Sequence, residues 1–84
     1  MYRVELAARA ERAFRDLPAD VQRRLVPAIE ALAQDPRPPR CKKLSGEESV
    51  WRIRVGDYRI VYQIRENELR VLVIKVGHRR EIYP

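Results

Sequence analysis

Hydrophobic and polar positions alternate with two different periods along this chain, and the change of period divides it. Tyr2, Val4 and Leu6 fall on one side of an extended segment with Arg3 and Glu5 on the other, which predicts a half-buried strand over 2–7. From Ala8 the spacing becomes helical: Ala10, Ala13, Phe14 and Leu17 share one face, while Arg9, Glu11, Arg12, Arg15 and Asp16 take the opposite one. Pro18 ends that helix and suits the first position of a second, whose buried stripe is Val21, Leu25, Ala28, Ile29 and Leu32. Pro27 interrupts the second helix and predicts a kink. Asp35-Pro36-Arg37-Pro38-Pro39-Arg40 cannot continue a helix and reads as an extended linker.

Beyond the linker the period becomes two. Val50–Val55 and Tyr58–Ile64 alternate and are rich in β-branched and aromatic residues, and only Gly56-Asp57 separates them, so they predict a hairpin. Glycine at the first loop position suits a type II′ turn. Leu69–Val76 supplies a last strand, with no apolar alternation to set its register, because Val71, Val73 and Leu72, Ile74, Val76 make both of its faces apolar. The order β-α-α-β-β-β predicts an α+β fold: two N-terminal antiparallel helices packed on one face of a small, mainly antiparallel four-stranded sheet, in a single domain spanning 1–84.

Composition narrows what such a fold can do. With 84 residues there is room for one small core. Eighteen Lys and Arg against twelve Asp and Glu leave a net charge of +6, which points to a polyanion, nucleic acid first. One cysteine, Cys41, closes no intrachain disulfide, and one Cys with one His leaves a Cys/His zinc site short of ligands. The run Val71-Leu72-Val73-Ile74 is far short of the roughly 20 apolar residues that span a bilayer, and a cytoplasmic protein is expected.

The two-residue loop sets the hairpin register: Val55 faces Tyr58, Arg54 faces Arg59, Ile53 faces Ile60, Arg52 faces Val61 and Trp51 faces Tyr62. One face carries Trp51, Ile53, Val55, Tyr58, Ile60, Tyr62 and Ile64, for the helices to cover. The other carries Arg52, Arg54 and Arg59. Like charges directly opposite each other cost up to about 1 kcal/mol, and an anion lying over them reverses that sign, so Arg54 and Arg59 read as a phosphate site. The last strand is expected to bring His78, Arg79 and Arg80 to the same end, with Tyr83 four residues on. The plainer reading is a solvated face partnered by Asp57, Glu66 and Glu81.

Three segments together resemble the RelE/ParE toxins of type II toxin–antitoxin systems: Lys42-Lys43-Leu44-Ser45-Gly46, Trp51 through Tyr62, and Val76-Gly77-His78-Arg79 with Tyr83. The resemblance runs the whole length of the chain and implies helices on one sheet face and a basic concave face on the other. In the RelE branch, which cuts messenger RNA in the ribosomal A site, the matching site residues are Arg52, Arg54, Arg59, Arg79 and Tyr83. Arg52 and Arg54 depart from the lysines common in the best-known branch, and arginine does not serve as a general base. His78, the single histidine of the chain, is the nominee for acid or base.

Lys42, Lys43 and Arg80 are expected to contact RNA phosphates, Trp51 to pack, and Cys41 to have no catalytic part. The resemblance therefore implies a metal-independent endoribonuclease without a cofactor. Its expected partners are the ribosome with its mRNA and a cognate RelB-like antitoxin, acidic or amphipathic, in a heteromeric complex, with no membrane involved. Two rivals stand beside it: a ParE-like toxin that inhibits gyrase, and a catalytically inactive relative that only binds antitoxin or RNA.

Overall fold

The computed structural model describes residues 1–44 and 49–78. In chain order the elements are β1 (Arg3–Leu6), α1 (Ala8–Arg15), α2 (Ala19–Ala31), β2 (Lys42–Lys43), β3 (Val50–Val55), β4 (Tyr58–Arg65), a 3-10 turn at Glu66–Glu68, and β5 (Arg70–His78). They form a five-stranded sheet ordered β1-β5-β4-β3-β2, with β1 parallel to β5 and the remaining pairs antiparallel. The α+β class stands, and the four-stranded expectation is corrected to five. The added strand, β2, is two exposed lysines held at an edge by β3, too short to leave an alternation signal.

The helices end and join as their sequence requires. Pro18 is the N-cap of α2 rather than its first helical residue, and Gln22, one turn in, donates its side-chain amide to the carbonyls of Leu17 at 2.9 Å and Arg15 at 3.2 Å. Carbonyls left over at the end of α1 thus gain partners from the next helix. The second helix continues past Pro27 to Ala31.

Val21, Leu25, Ile29 and Leu32, with Ala10 from α1, bury against Ile53, Ile60, Tyr62, Ile64, Val71, Val73 and Val76. Each fully buried aliphatic side chain contributes about 1.5–3 kcal/mol, so these contacts fix which sheet face meets the helices. Tyr62 is fully buried, and its hydroxyl donates to the Pro36 carbonyl at 2.7 Å, tying the proline-rich linker to the sheet. Burial disfavours the phenolate and pushes the Tyr62 pKa well up. Across the linker, the Arg37 guanidinium lies 5.3 Å from the centre of the Trp51 ring and pairs with Glu66, which also accepts the Tyr2 hydroxyl proton at 2.7 Å.

The hairpin register is the one the two-residue loop predicts, from Val55 opposite Tyr58 to Trp51 opposite Tyr62. Gly56 has φ +62°, and Asp57 is not among the residues with positive φ, as a type II′ turn requires. The last strand holds a β-bulge: Tyr62 pairs with Val73 and the adjacent Val61 with Lys75, leaving Ile74 as the extra residue. The inward-facing set therefore changes parity along β5, from Val71 and Val73 before the bulge to Val76 after it. That switch explains why both faces of this strand are apolar in sequence.

Candidate functional site

Pairing alone assembles a basic surface on the sheet face turned away from the helices. Residues directly opposite one another share a face, so Lys42, Arg52, Val61 and Lys75 form one row across four strands. Arg54, Arg59 and Gly77 form the adjoining row. Neighbouring strands lie about 4.8 Å apart, so five cations from four strands gather on one small patch.

Within that patch the two central arginines differ. Arg54 is exposed and makes no ion pair or hydrogen bond among the described residues, whereas Arg59 is 8% exposed, the one charged residue among them that is buried. Gly77 stands opposite Arg59, so β5 contributes no side chain at that pair, and the Nε and Nη1 of the guanidinium are themselves buried. The ion pairs given by the described carboxylates lie with other cations, away from this patch: Glu66 pairs with Arg37, Glu5 and Glu68 with Arg70, Glu68 with Arg65, and Glu11 with Arg15. Asp57, exposed at the turn, makes no ion pair among the described residues. Of the carboxylates expected to neutralise the arginine face, Glu66 is thus committed to the linker, and Glu81 lies outside the described residues.

The register separates residues that the sequence placed together. His78 stands opposite Tyr58, with the two rings edge to face at 5.5 Å, on the side of the sheet that the helices cover. The expectation that it gathers with Arg54 and Arg59 is therefore corrected: alternation puts it one face away. Lys43 pairs with Trp51 and likewise faces the helix side, whereas Lys42 pairs with Arg52 on the basic side. Arg79, Arg80 and Tyr83 lie outside the described residues.

Two cations went unread in the sequence. Lys75 enters the basic row only because of the bulge, and its one signal is its position as a lone charge between Ile74 and Val76. Arg24, from α2, lies against the hairpin turn, where a Cβ on Gly56 would meet its terminal nitrogen at 2.5 Å. Helical periodicity shows Arg24 as a surface residue and carries no hint of that long-range contact.

Among the described residues no group of three or more His, Cys, Asp or Glu could hold a metal ion, and no helix is long and apolar enough to cross a membrane. A groove of about 210 Å³ lies between α1 and β5, bordered by Arg9, Ala10, Ala13 and the 74–77 stretch.

Helices on one side of a five-stranded sheet and five cations on the other define a small α+β protein whose exposed face suits a polyanion. Residues 4–83 match the family described as ParE toxin of type II toxin–antitoxin system, parDE, and the chain belongs to it. Within it the chain is a RelE-like toxin. A Methanocaldococcus jannaschii protein named as toxin RelE1 is 27% identical over 85 residues, covering 98% of this chain and 94% of that one. The toxin in the intact E. coli RelBE toxin–antitoxin complex superposes with a TM-score of 0.83 at 29% identity, over 93% of this chain and 96% of that chain. The archaeal RelE–RelB complex from Pyrococcus horikoshii OT3 gives a TM-score of 0.81 at 28% identity, over 93% and 94% of the two chains.

Proposed function

We propose that this toxin is a metal-independent endoribonuclease that cuts messenger RNA on the ribosome, and that a RelB-like antitoxin silences it. The observation that carries the reading is the direct opposition of Arg54 and Arg59, flanked by Arg52 and Lys42, on the face away from the helices. Cleavage of RNA by its own 2′-hydroxyl passes through a pentacoordinate phosphorane with two negative charges. Arg54 and Arg59 neutralise that charge through forked donors, and Arg52 and Lys42 hold the flanking phosphates. Arg79 matches the residue that the family assigns to the leaving group, Arg80 contacts RNA phosphates, and Tyr83 stacks on a splayed base or orients the phosphate. His78 has no part in this chemistry, because its ring lies against Tyr58 on the other face.

RelE toxins similar to this one were solved bound to RelB antitoxins, which supports a heteromeric complex here. Lys43 and Arg9 offer cations for an acidic antitoxin segment on the helix side. The reading places the chain in the cytoplasm, where its ribosomal target is.

The family description names ParE, and a gyrase-directed toxin is the second reading. Primer extension on a message in a purified translation system separates the two. The expected result is cleavage at A-site codons by the wild-type chain, lost in Arg59→Ala. Uncut message together with arrested gyrase would refute the ribonuclease reading.

A further inference from the structure

We propose that the groove between α1 and β5 is a subsite for one nucleotide of the RNA strand beside the cleaved linkage, with Lys75 on the phosphate at its mouth and Arg9 on the phosphate beyond. The inference rests on the ribonuclease reading above and extends the bound strand past the sheet. Lys75 belongs to both places: it ends the row Lys42, Arg52, Val61 and Lys75 on the basic face, and it borders the groove. Gly77 pairs with Arg59, and Lys75 lies two residues before Gly77, so Lys75 is the diagonal neighbour of Arg59 at about 7–8 Å. A strand held at Arg54 and Arg59 therefore reaches the groove by way of Lys75.

The groove is open because β1 is shorter than β5. Their pairing covers Arg70 to Val73, and just beyond it the Ala7 amide donates to the Val73 carbonyl at 2.8 Å. The strand β5 runs on to His78, so from Ile74 its outer edge faces no other strand among the described residues. Backbone donors and acceptors along such an edge are what the rim of a splayed base needs. Across from them α1 presents Ala10 and Ala13, whose small side chains leave room for a flat ring. The volume of about 210 Å³ is below the roughly 300–1,000 Å³ of sites for drug-sized ligands and suits a single base.

Charge selects a polyanion over an extended peptide. Arg9 and Lys75 are exposed and make no ion pair or hydrogen bond among the described residues. The helix α1 also begins without a side-chain cap, so its first amides add positive potential beside Arg9. The bulge at Ile74 is an independent sign. Val71 and Val73 are fully buried, so a regular strand would point Lys75 inward among them, at the cost of burying an unpaired charge. One inserted residue turns Lys75 outward and returns Val76 to the core, and bulges that re-aim a side chain are common beside functional sites. An antitoxin segment held by Arg9 closes the same groove to the message.

The test measures binding, over a range of salt, to ribosomes programmed with a message whose A-site sugars are 2′-deoxy and so resist cleavage. Lys75→Gln and Arg9→Gln should each weaken binding about fivefold at 0.1 M salt and lower the slope of log affinity against log salt by about 0.7, the share of one single-strand phosphate. Lys75→Arg keeps the charge and should bind as wild type does, and Arg12→Gln, which removes a cation of α1 outside the groove, should leave the slope unchanged. A neutral methylphosphonate placed at successive linkages identifies the phosphates: at one linkage it should abolish the effect of Lys75→Gln, and at the next one out that of Arg9→Gln. Undiminished binding in both variants, a loss matched by Arg12→Gln, or losses that no single linkage removes would overturn the proposal. Variants that keep full RNA binding but no longer co-purify with the co-expressed antitoxin would give the groove to that protein instead. A wild type that binds the deoxy message and leaves an ordinary one uncut refutes the ribonuclease reading, an outcome separate from those of the variants.

Discussion

Replacing Arg54 with glutamine should make the protein more stable and less toxic, because one side chain bears on the two properties with opposite signs. Arg54 and Arg59 are directly opposite on β3 and β4, and Arg54 is exposed, so the solvent dielectric applies. Two unit charges about 5 Å apart in water repel by about 0.8 kcal/mol. Screening at physiological salt, with a Debye length of about 8 Å, leaves about 0.5 kcal/mol, and at 1 M salt under 0.2 kcal/mol remains. Arg54 has no ion pair or hydrogen bond to lose among the described residues. A gain of about 0.5 kcal/mol raises the melting temperature of a domain this size by roughly 2–4 °C.

Circular dichroism melts of wild type and Arg54→Gln, at 0.15 M and 1 M salt, measure this directly. The expected gain appears at the lower salt and shrinks to about 1 °C or less at the higher. Cleavage should fall in the same variant by roughly 10- to 150-fold, the value of a charge-assisted contact of about 1.5–3 kcal/mol. A melting temperature lowered at 0.15 M salt would refute the reasoning, since it would make Arg54 a structural residue. Unchanged cleavage would refute the phosphate role.

Other outcomes follow from the same geometry. Tyr62→Phe removes the donor to the buried Pro36 carbonyl and should cost about 1–3 kcal/mol, read as a lower urea midpoint at unchanged slope. Because folding raises the Tyr62 pKa, its contribution is complete below pH 10 and is lost as pH climbs toward the folded value; wild-type stability should therefore fall more steeply above pH 10 than that of Tyr62→Phe. Glu66 behaves oppositely: the Tyr2 hydroxyl, and then Arg37, hold its carboxyl below the ordinary 4.5. Its contribution is present above that pH and lost as pH falls through the folded value, so acid titration of stability should be shallower in Glu66→Gln. Gly56→Ala should cost about 1–2 kcal/mol from its φ of +62°. Adding Arg24→Ala should recover little of this, since a guanidinium can swing away from a new methyl group; recovery of most of it would show that the contact, not the backbone, sets the cost.

The arginine face was legible before any coordinates because a two-residue turn leaves one register available, so Arg52, Arg54 and Arg59 fell on one side of the hairpin by counting. The buried stripe Val21, Leu25, Ile29 and Leu32 was legible for the same local reason, a period of 3.6 residues. His78 was misplaced because counting along β5 fails at a bulge, and nothing in Val71–Val76 marks where the extra residue sits. Lys75 was overlooked for that reason too, its face depending on which residue of β4 lies beside it.

What the sequence by itself determined is therefore what neighbours in the chain determine: the helices, the hairpin and its register, and the excess of cations. Tertiary structure decided the partner choices: the edge pairing that adds Lys42 to the basic row, the parallel contact of β1 with β5, the reach of Arg24 to Gly56, and the parity switch that moves Lys75 out and His78 to the helix side. Those choices join residues far apart in the chain. Their free energies come from how whole faces pack, and no local pattern encodes them.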